Sequence, residues 1–460
     1  MFRKFVDRRE ELKYLEEEYH SEGFKFVIVY GRRRVGKTAL IRKFLEDKHG
    51  IFFLCSRRGI EKDLERFAEV ICKSLGVKGV YFRSFIDAFN FLKDFERLVI
   101  VFDEFPYLIE CDRNVVSDFQ IIVDEILSDS NHMLILCGSS VGMVEREILS
   151  YKSPLYGRAT KVMKVRPFKI DGLVEWFGLD LGKVVKIYGV TNGIPKYMEF
   201  FKGENVEEEI VENFFNVNSF LYNEAYMLLS EELRAPSTYS LILEAISNGH
   251  TRVSEISNYT SIEAKDLPFY LSILSNLGIV KREIPVTETS KSKRGIYLID
   301  DEYFRFWFRF VSPHREAIEI GEPLEAIEDF RANFDHYLGF TFEKIVKQIL
   351  YKLNSMGRLP FRFERIGKWW RRGEEIDLIA LNRKLGKALF IEVKWKTLTS
   401  RDAERILRNL ERRSKLVNLP DYERHYMVIA RKILDKPSQP NMVDLETIRE
   451  MLHGNMSFKG

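Results

Sequence analysis

Phe26-Val-Ile-Val-Tyr30 runs directly into Gly31-Arg-Arg-Arg-Val-Gly36-Lys37-Thr38, and that into Ala39-Leu-Ile-Arg-Lys-Phe-Leu45. The first run is apolar and of strand length, and the last has apolar residues at helical spacing. The eight residues between match G-x-x-x-x-G-K-[ST], and a strand before with a helix after is the context this pattern requires. Gly31 and Gly36 permit backbone shapes and a close approach that a side chain would block. The loop N–H groups, from Arg32, Arg33, Arg34 and Val35, together with the helix N-terminus, then point at phosphates. Lys37 adds a point charge near the outer phosphates, and Thr38 offers its hydroxyl to Mg²⁺. A phosphate cradle is expected here.

Leu98-Val-Ile-Val-Phe102-Asp103-Glu104 is the second strong signal. Its five apolar residues predict a strand buried on both faces, with two carboxylates at the end where open α/β sheets place their ligands. Asp103 is expected in the Mg²⁺ shell and Glu104 to orient and polarise an attacking water. Met133-Leu-Ile-Leu-Cys-Gly-Ser139-Ser140 predicts a third buried strand ending in hydroxyls. Ser139 is placed to reach the terminal phosphate or that water, although serine after glycine is also ordinary turn chemistry. Arg158, in Ser153-Pro-Leu-Tyr-Gly157-Arg158, is a cation for phosphate, for a neighbouring subunit or for solvent. Upstream of the loop, Phe5-Val-Asp-Arg8-Arg-Glu-Glu11-Leu12 begins an amphipathic helix to about Tyr19, a candidate lid on a nucleotide base.

At 460 residues the chain should hold about three domains. It is 45% hydrophobic and 31% charged, with glutamine only at Gln120, Gln348 and Gln439, a balance that fits a heat-adapted source. Cys55, Cys72, Cys111 and Cys137 form no C-x-x-C pair, which argues against structural zinc and for a reducing compartment. No apolar run approaches the ~20 residues of a membrane span, and Met1-Phe-Arg-Lys-Phe5 lacks the apolar core of a leader. A cytoplasmic protein without a membrane partner is expected. The net charge of +3 hides an asymmetry: residues 336–460 carry 26 Lys and Arg against 15 Asp and Glu, a net of +11, leaving −8 on the rest. A basic tail on an acidic body suggests a polyanion partner, DNA foremost.

Strand–helix alternation ends near Phe168, and helices continue to about Leu233. From Ser237 three helices precede two short strands, Ile279–Pro285 and Gly295–Ile299, which predicts a winged helix-turn-helix. The third helix carries little charge, and the basic residues sit in the hairpin (Lys281, Arg282, Lys291, Lys293, Arg294), so DNA binding and simple packing both stay open. The aromatic run Asp301–Phe310 suits a domain interface. Glu316–Asp335 reads as a helical connector, and Leu338–Asn354 as a helix bearing Glu343. Arg362, Arg365, Lys368, Trp369, Trp370, Arg371 and Arg372 interleave charge and aromatics as a nucleic-acid groove does. Two strands then carry Glu375-Ile-Asp377 and Glu392-Val-Lys394. Alternation puts Glu392 and Lys394 on one face, where Asp377 can meet them. Asp377 and Glu392 suit Mg²⁺, with the Val393 carbonyl, and Glu343 could complete the shell from its helix. Lys394 would position or deprotonate water for attack on a phosphodiester. An edge hairpin with a surface ion pair is the plainer alternative.

Taken together these residues resemble the archaeal P-loop ATPases of the STAND/AAA+ type, with a winged helix and a C-terminal PD-(D/E)XK nuclease-like domain. The glycine loop and Val101-Phe-Asp103-Glu104 are similar to the Walker A and Walker B motifs, and Gly138-Ser139-Ser140 to the sensor strand end. Gly193-Ile-Pro195 resembles the G-x-P element that contacts nucleotide, which makes Pro195 an ATP-binding residue beside Arg8. The opening departs from the family's pattern, with Asp7 in a glycine place and Arg9 in an acidic one. The resemblance implies an α/β fold in five parts: an ATPase core at 1–170, a helical lid at 171–235, a winged helix at 236–312, a connector at 313–335 and a nuclease-like domain at 336–460. It implies an ATP- and Mg²⁺-dependent switch that binds DNA, with a nuclease-like domain that could cut it. A DNA-binding regulator with an inactive nuclease fold, or a scaffold for a protein partner or for self-association, are the alternatives.

Overall fold

The computed structural model describes residues 5–435 and 440–453. Met1 to Lys4, read above for a leader, and Gln439 lie outside the described residues. The chain forms two compact units: Met1–Phe168 with Ile194–Tyr197, and Lys169–Gly193 with Met198–Gly460.

The first unit is a five-stranded sheet of β1 (Lys25–Tyr30), β2 (Gly50–Leu54), β3 (Val99–Asp103), β4 (Met133–Gly138) and β5 (Lys161–Lys164). All neighbours are parallel, in the order β2-β3-β4-β1-β5. The three strands read from apolar runs are buried on both faces, because helices cover the sheet on each side. Against one face pack Leu40, Ile41 and Phe44 of the helix Lys37–Leu45. On the other, Phe102 meets Phe67, Phe85 and Phe119 with ring centroids 4.9–5.6 Å apart. β4 lies between β1 and β3, which sets the end of each strand beside the next. β5 was not expected. Its sequence, Lys161-Val-Met-Lys164, buries only Met163 at the sheet edge, so it lacks the apolar run that marks the central strands.

The second unit contains the helices Pro236–Ser247, Val253–Thr260 and Leu267–Asn276, followed by the antiparallel hairpin β6 (Val280–Glu283) and β7 (Ile296–Ile299). The aromatic run is a buried helical stretch, with Tyr303, Phe304, Phe306, Phe308 and Phe310 all in the core. The connector and the helix after it are not separate: one 32-residue helix, Leu324–Ser355, runs through both. A second sheet follows, of β8 (Arg365–Arg371), β9 (Glu374–Asn382), β10 (Lys387–Thr399), β11 (Glu423–Leu434) and β12 (Met442–Asp444), in the order β12-β11-β10-β9-β8. β8, β9 and β10 are antiparallel. The helix Ser400–Ser414 then crosses over to β11, which returns parallel to β10. Among the described residues no helix is long and apolar enough to cross a membrane.

Candidate functional site

At the end of β1 the loop closes tightly on itself. Gly31 has φ +153°, and a Cβ there would stand 2.2 Å from the Val165 carbonyl oxygen, so only glycine fits. Gly36, at φ +92°, precedes the helix Lys37–Leu45, whose N-terminus has no side-chain cap. Its first N–H groups therefore face outward as a ready anion site. Lys37 is buried and donates to the carbonyls of Gly31 (2.8 Å) and Arg32 (3.1 Å), which keeps its ammonium inside the ring of the loop. Arg33 donates to the Tyr107 hydroxyl at 2.9 Å and Arg32 to that of Tyr197 at 3.4 Å. Arg34 holds a left-handed backbone, φ +70°, within the same turn. Uncapped amides, a left-handed turn and a buried ammonium are the donor set a polyphosphate needs.

The acids of β3 are divided between two neighbours. Asp103 accepts the Thr38 hydroxyl at 2.8 Å through Oδ2, and the Glu104 N–H at 3.1 Å through Oδ1. Glu104 has φ +57°, a strained backbone for this residue type. Its Oε2 accepts the Ser139 hydroxyl at 2.6 Å and the Ser139 N–H at 3.2 Å. The strand order is the cause, since β4 delivers Ser139 next to the end of β3. Burial also drives the Cys137 thiol well above its usual range, so this cysteine stays neutral among the acids.

Arg8 is not a lid. Its guanidinium is buried, donates to the carbonyls of Val35 and Arg166 at 2.8 Å each, pairs with Glu11 and stacks on Phe168 at 4.5 Å. It braces the loop from behind. Pro195 sits beside the loop, its Cγ 3.9 Å from where a Gly36 Cβ would stand. The structure does not bring Arg158 to this group: it pairs with Asp124 at 2.8 Å and donates to the Pro154 carbonyl.

In the second sheet, Asp377 on β9 and Glu392 on β10 are both buried. Lys394 bridges them, at 3.2 Å from Asp377 and 2.8 Å from Glu392. Asp377 also accepts the Val393 N–H at 2.8 Å, and Arg413 holds the other Glu392 oxygen at 2.8 Å. Burial raises the Glu392 carboxyl, the charge of Asp377 adds to this, and Lys394 and Arg413 oppose it. Burial lowers the Lys394 ammonium, but Asp377 and Glu392 outweigh it, so the net direction is upward and the lysine keeps its proton. Two close carboxylates, one of them reluctant to ionise beside the other, fit a divalent cation that would relieve the repulsion. Glu343 does not complete a third ligand. It pairs with Lys368 at 2.8 Å, and burial lifts its carboxyl to about 7. Among the described residues no three His, Cys, Asp or Glu side chains gather as a metal site.

The expected aromatic groove is instead β8. Trp369 is buried in the core, Lys368 is paired with Glu343 and Glu375, and Arg365 donates to the Glu288 carbonyl. Period-two alternation, not base stacking, explains the pattern. In the hairpin, Lys281 pairs with Asp300, Arg294 with Glu288, and Arg282 bonds the Ser290 carbonyl. A basic stripe unnoticed in the sequence lies on the helix Ser400–Ser414: Arg401, Arg405, Arg408, Arg412 and the following Lys415 are all exposed. Their spacing of three and four puts them on one face, a helical period that a search for basic clusters passes over.

Residues 5–201 match a family described as an ATPase domain predominantly from Archaea, and residues 307–406 one described as Archaea bacterial proteins of unknown function. An uncharacterized protein of Methanocaldococcus jannaschii, MJECL04, is 44% identical over 436 residues, covering 94% of this chain and 97% of the relative. An uncharacterized ATP-binding protein of the same organism, MJ0423, is 57% identical over 44 residues, 10% of this chain and 75% of that one. Among solved structures, a Walker-type ATPase of Pyrococcus abyssi aligns with a TM-score of 0.51 at 24% identity, over 66% of this chain and 96% of its own, a likeness of fold. The parallel sheet, its glycine loop and these matches agree: the chain belongs to the archaeal family represented by MJECL04, and it is a P-loop ATPase with a separate C-terminal mixed-sheet domain.

Proposed function

We propose that the chain is an ATP-driven switch of the STAND/AAA+ type acting on DNA, in which the first unit binds and slowly hydrolyses ATP and the C-terminal sheet carries a Mg²⁺-dependent cutting site. The observation that carries the first half is the Thr38–Asp103 hydrogen bond beside an uncapped helix N-terminus. The loop amides and Lys37 bind the phosphates, Thr38 and Asp103 hold Mg²⁺, and Glu104 acts as general base on water with Ser139 steering its carboxylate. Pro195 closes the near side of the loop.

The second half rests on order and convergence. A long helix, three antiparallel strands, a crossover helix and a parallel strand are the succession of a PD-(D/E)XK nuclease-like domain, and Asp377, Glu392 and Lys394 meet on its adjacent strands. Asp377, Glu392 and the Val393 carbonyl would hold Mg²⁺, which when bound supplies charge neutralisation at a phosphodiester. Lys394 orients the attacking water, and Arg413 fixes Glu392. The arginine stripe contacts the DNA backbone. Residues 1–170 are then the ATPase core, 171–235 a helical subdomain and 236–312 a winged helix-turn-helix. The long helix belongs with the nuclease-like domain.

The test is a cleavage assay on single-stranded, duplex and branched DNA, with and without ATP and Mg²⁺. Asp377→Ala is expected to abolish cutting while ATP turnover is kept. A wild-type protein that cuts no form of DNA removes the nuclease half of the reading.

A further inference from the structure

A cavity of about 420 Å³ lies within the second unit, between the hairpin β6–β7, the long helix Leu324–Ser355 and the sheet. Its volume is in the range of about 300–1,000 Å³ that holds small organic ligands. Six of its lining side chains are Lys or Arg and four are Asp or Glu, a net charge of +2. Most of these cations are answered. Lys281 pairs with Asp300 at 3.1 Å, Lys368 with Glu343 at 2.8 Å, and Arg309 with Asp329 at 2.8 Å. Arg305 pairs with Glu302, and Lys344 lies 3.6 Å from the same carboxylate. Lys347 is the exception. It is half-buried, lines the cavity, and has no hydrogen bond or ion pair with any described residue.

Helical spacing sets Lys347 on the same side of the long helix as His336, Phe340 and Lys344, all of which line the cavity. Phe340 is exposed and gives that wall an aromatic ring. An unanswered cation and an aromatic face together describe a ligand with an anionic head and a flat body. A phosphate monoester carries about −1.5 to −2 at neutral pH and accepts several charge-assisted hydrogen bonds. We propose that this cavity binds a phosphate monoester of mononucleotide size, with Lys347 as the charge that captures the phosphate.

Burial depresses the Lys347 ammonium, and only part of that is offset by Glu283, so an arriving anion stabilises it as well as filling the space. Glu343 lines the cavity and feels the charge of Asp377, so the cavity lies near the carboxylate site. The inference does not depend on that site cutting DNA, nor on the phosphate loop.

The test uses the full chain carrying Lys37→Ala, so that the phosphate loop contributes no binding, and titrates AMP and inorganic phosphate by calorimetry. AMP is expected to bind, Lys347→Met to weaken it about tenfold or more, and Lys347→Arg to keep it within about threefold. Absence of heat with both probes up to about 10 mM, or AMP binding that Lys347→Met leaves unchanged, overturns the proposal. It is equally overturned if a short oligonucleotide, but not AMP, loses affinity in Lys347→Met, because the cavity then belongs to a DNA path. Far-ultraviolet circular dichroism equal to the parent establishes that each variant is folded. Since the readout is the difference made at Lys347, its failure is distinct from that of the ATP assignment, which Lys37→Ala tests with ATP.

Discussion

The Glu104 carboxylate accepts the hydroxyl of Ser139 at 2.6 Å, tying the end of β3 to the end of β4. The bond is possible because β4 lies between β3 and β1, so that the acid and the serine end side by side above the loop. It holds a strained residue, at φ +57°, in one orientation.

Glu104→Gln keeps the hydrogen bond but cannot take a proton from water. Single-turnover hydrolysis should fall about 10²–10⁴-fold while ATP affinity stays within about threefold. A variant that hydrolyses at the parent rate assigns the base elsewhere.

The parallel sheet and the phosphate loop were legible because each central strand is a continuous apolar run and each functional group sits at its end. β5 was not, since an edge strand that buries only Met163 leaves no such run. Asp377, Glu392 and Lys394 were found by alternation, and they do converge. Glu343 was misplaced because its ion pair with Lys368 depends on how β8 packs on the long helix, which spacing does not encode. Trp369 and Lys368 looked like a binding groove because a half-buried strand and a stacking surface share one composition. Arg8 was read as an ATP-binding residue because sequence shows that it is near the loop, and not that its guanidinium donates to the Val35 and Arg166 carbonyls.

The stripe on the helix Ser400–Ser414 predicts a salt signature. Each phosphate contact contributes about 0.9 to the slope of log affinity against log salt. Replacing Arg405 and Arg408 together by alanine should make that slope for duplex DNA shallower by about 2. Fluorescence anisotropy between low and high salt measures it, and an unchanged slope places the DNA on another face.

Glu343 predicts a pH dependence of stability. Its carboxyl rises from the usual 4.5 to about 7 through burial, against the pull of Lys368, so the folded chain binds this proton more tightly than the unfolded one. Its contribution is therefore complete below about pH 4.5 and is lost as the pH rises through 7, by at most about 3 kcal/mol. Glu343→Gln should match the parent in thermal midpoint at pH 5 and exceed it at pH 8. Equal midpoints at pH 8 contradict the shift.

The central claim is that a triphosphate is held where β1 gives way to its helix. Calorimetric titration of ATP into the intact chain and into Lys37→Ala tests it most directly. Micromolar binding by the parent and none measurable by the variant is the predicted result. Equal affinity in the two proteins contradicts the phosphate assignment and, with it, the ATP-driven switch.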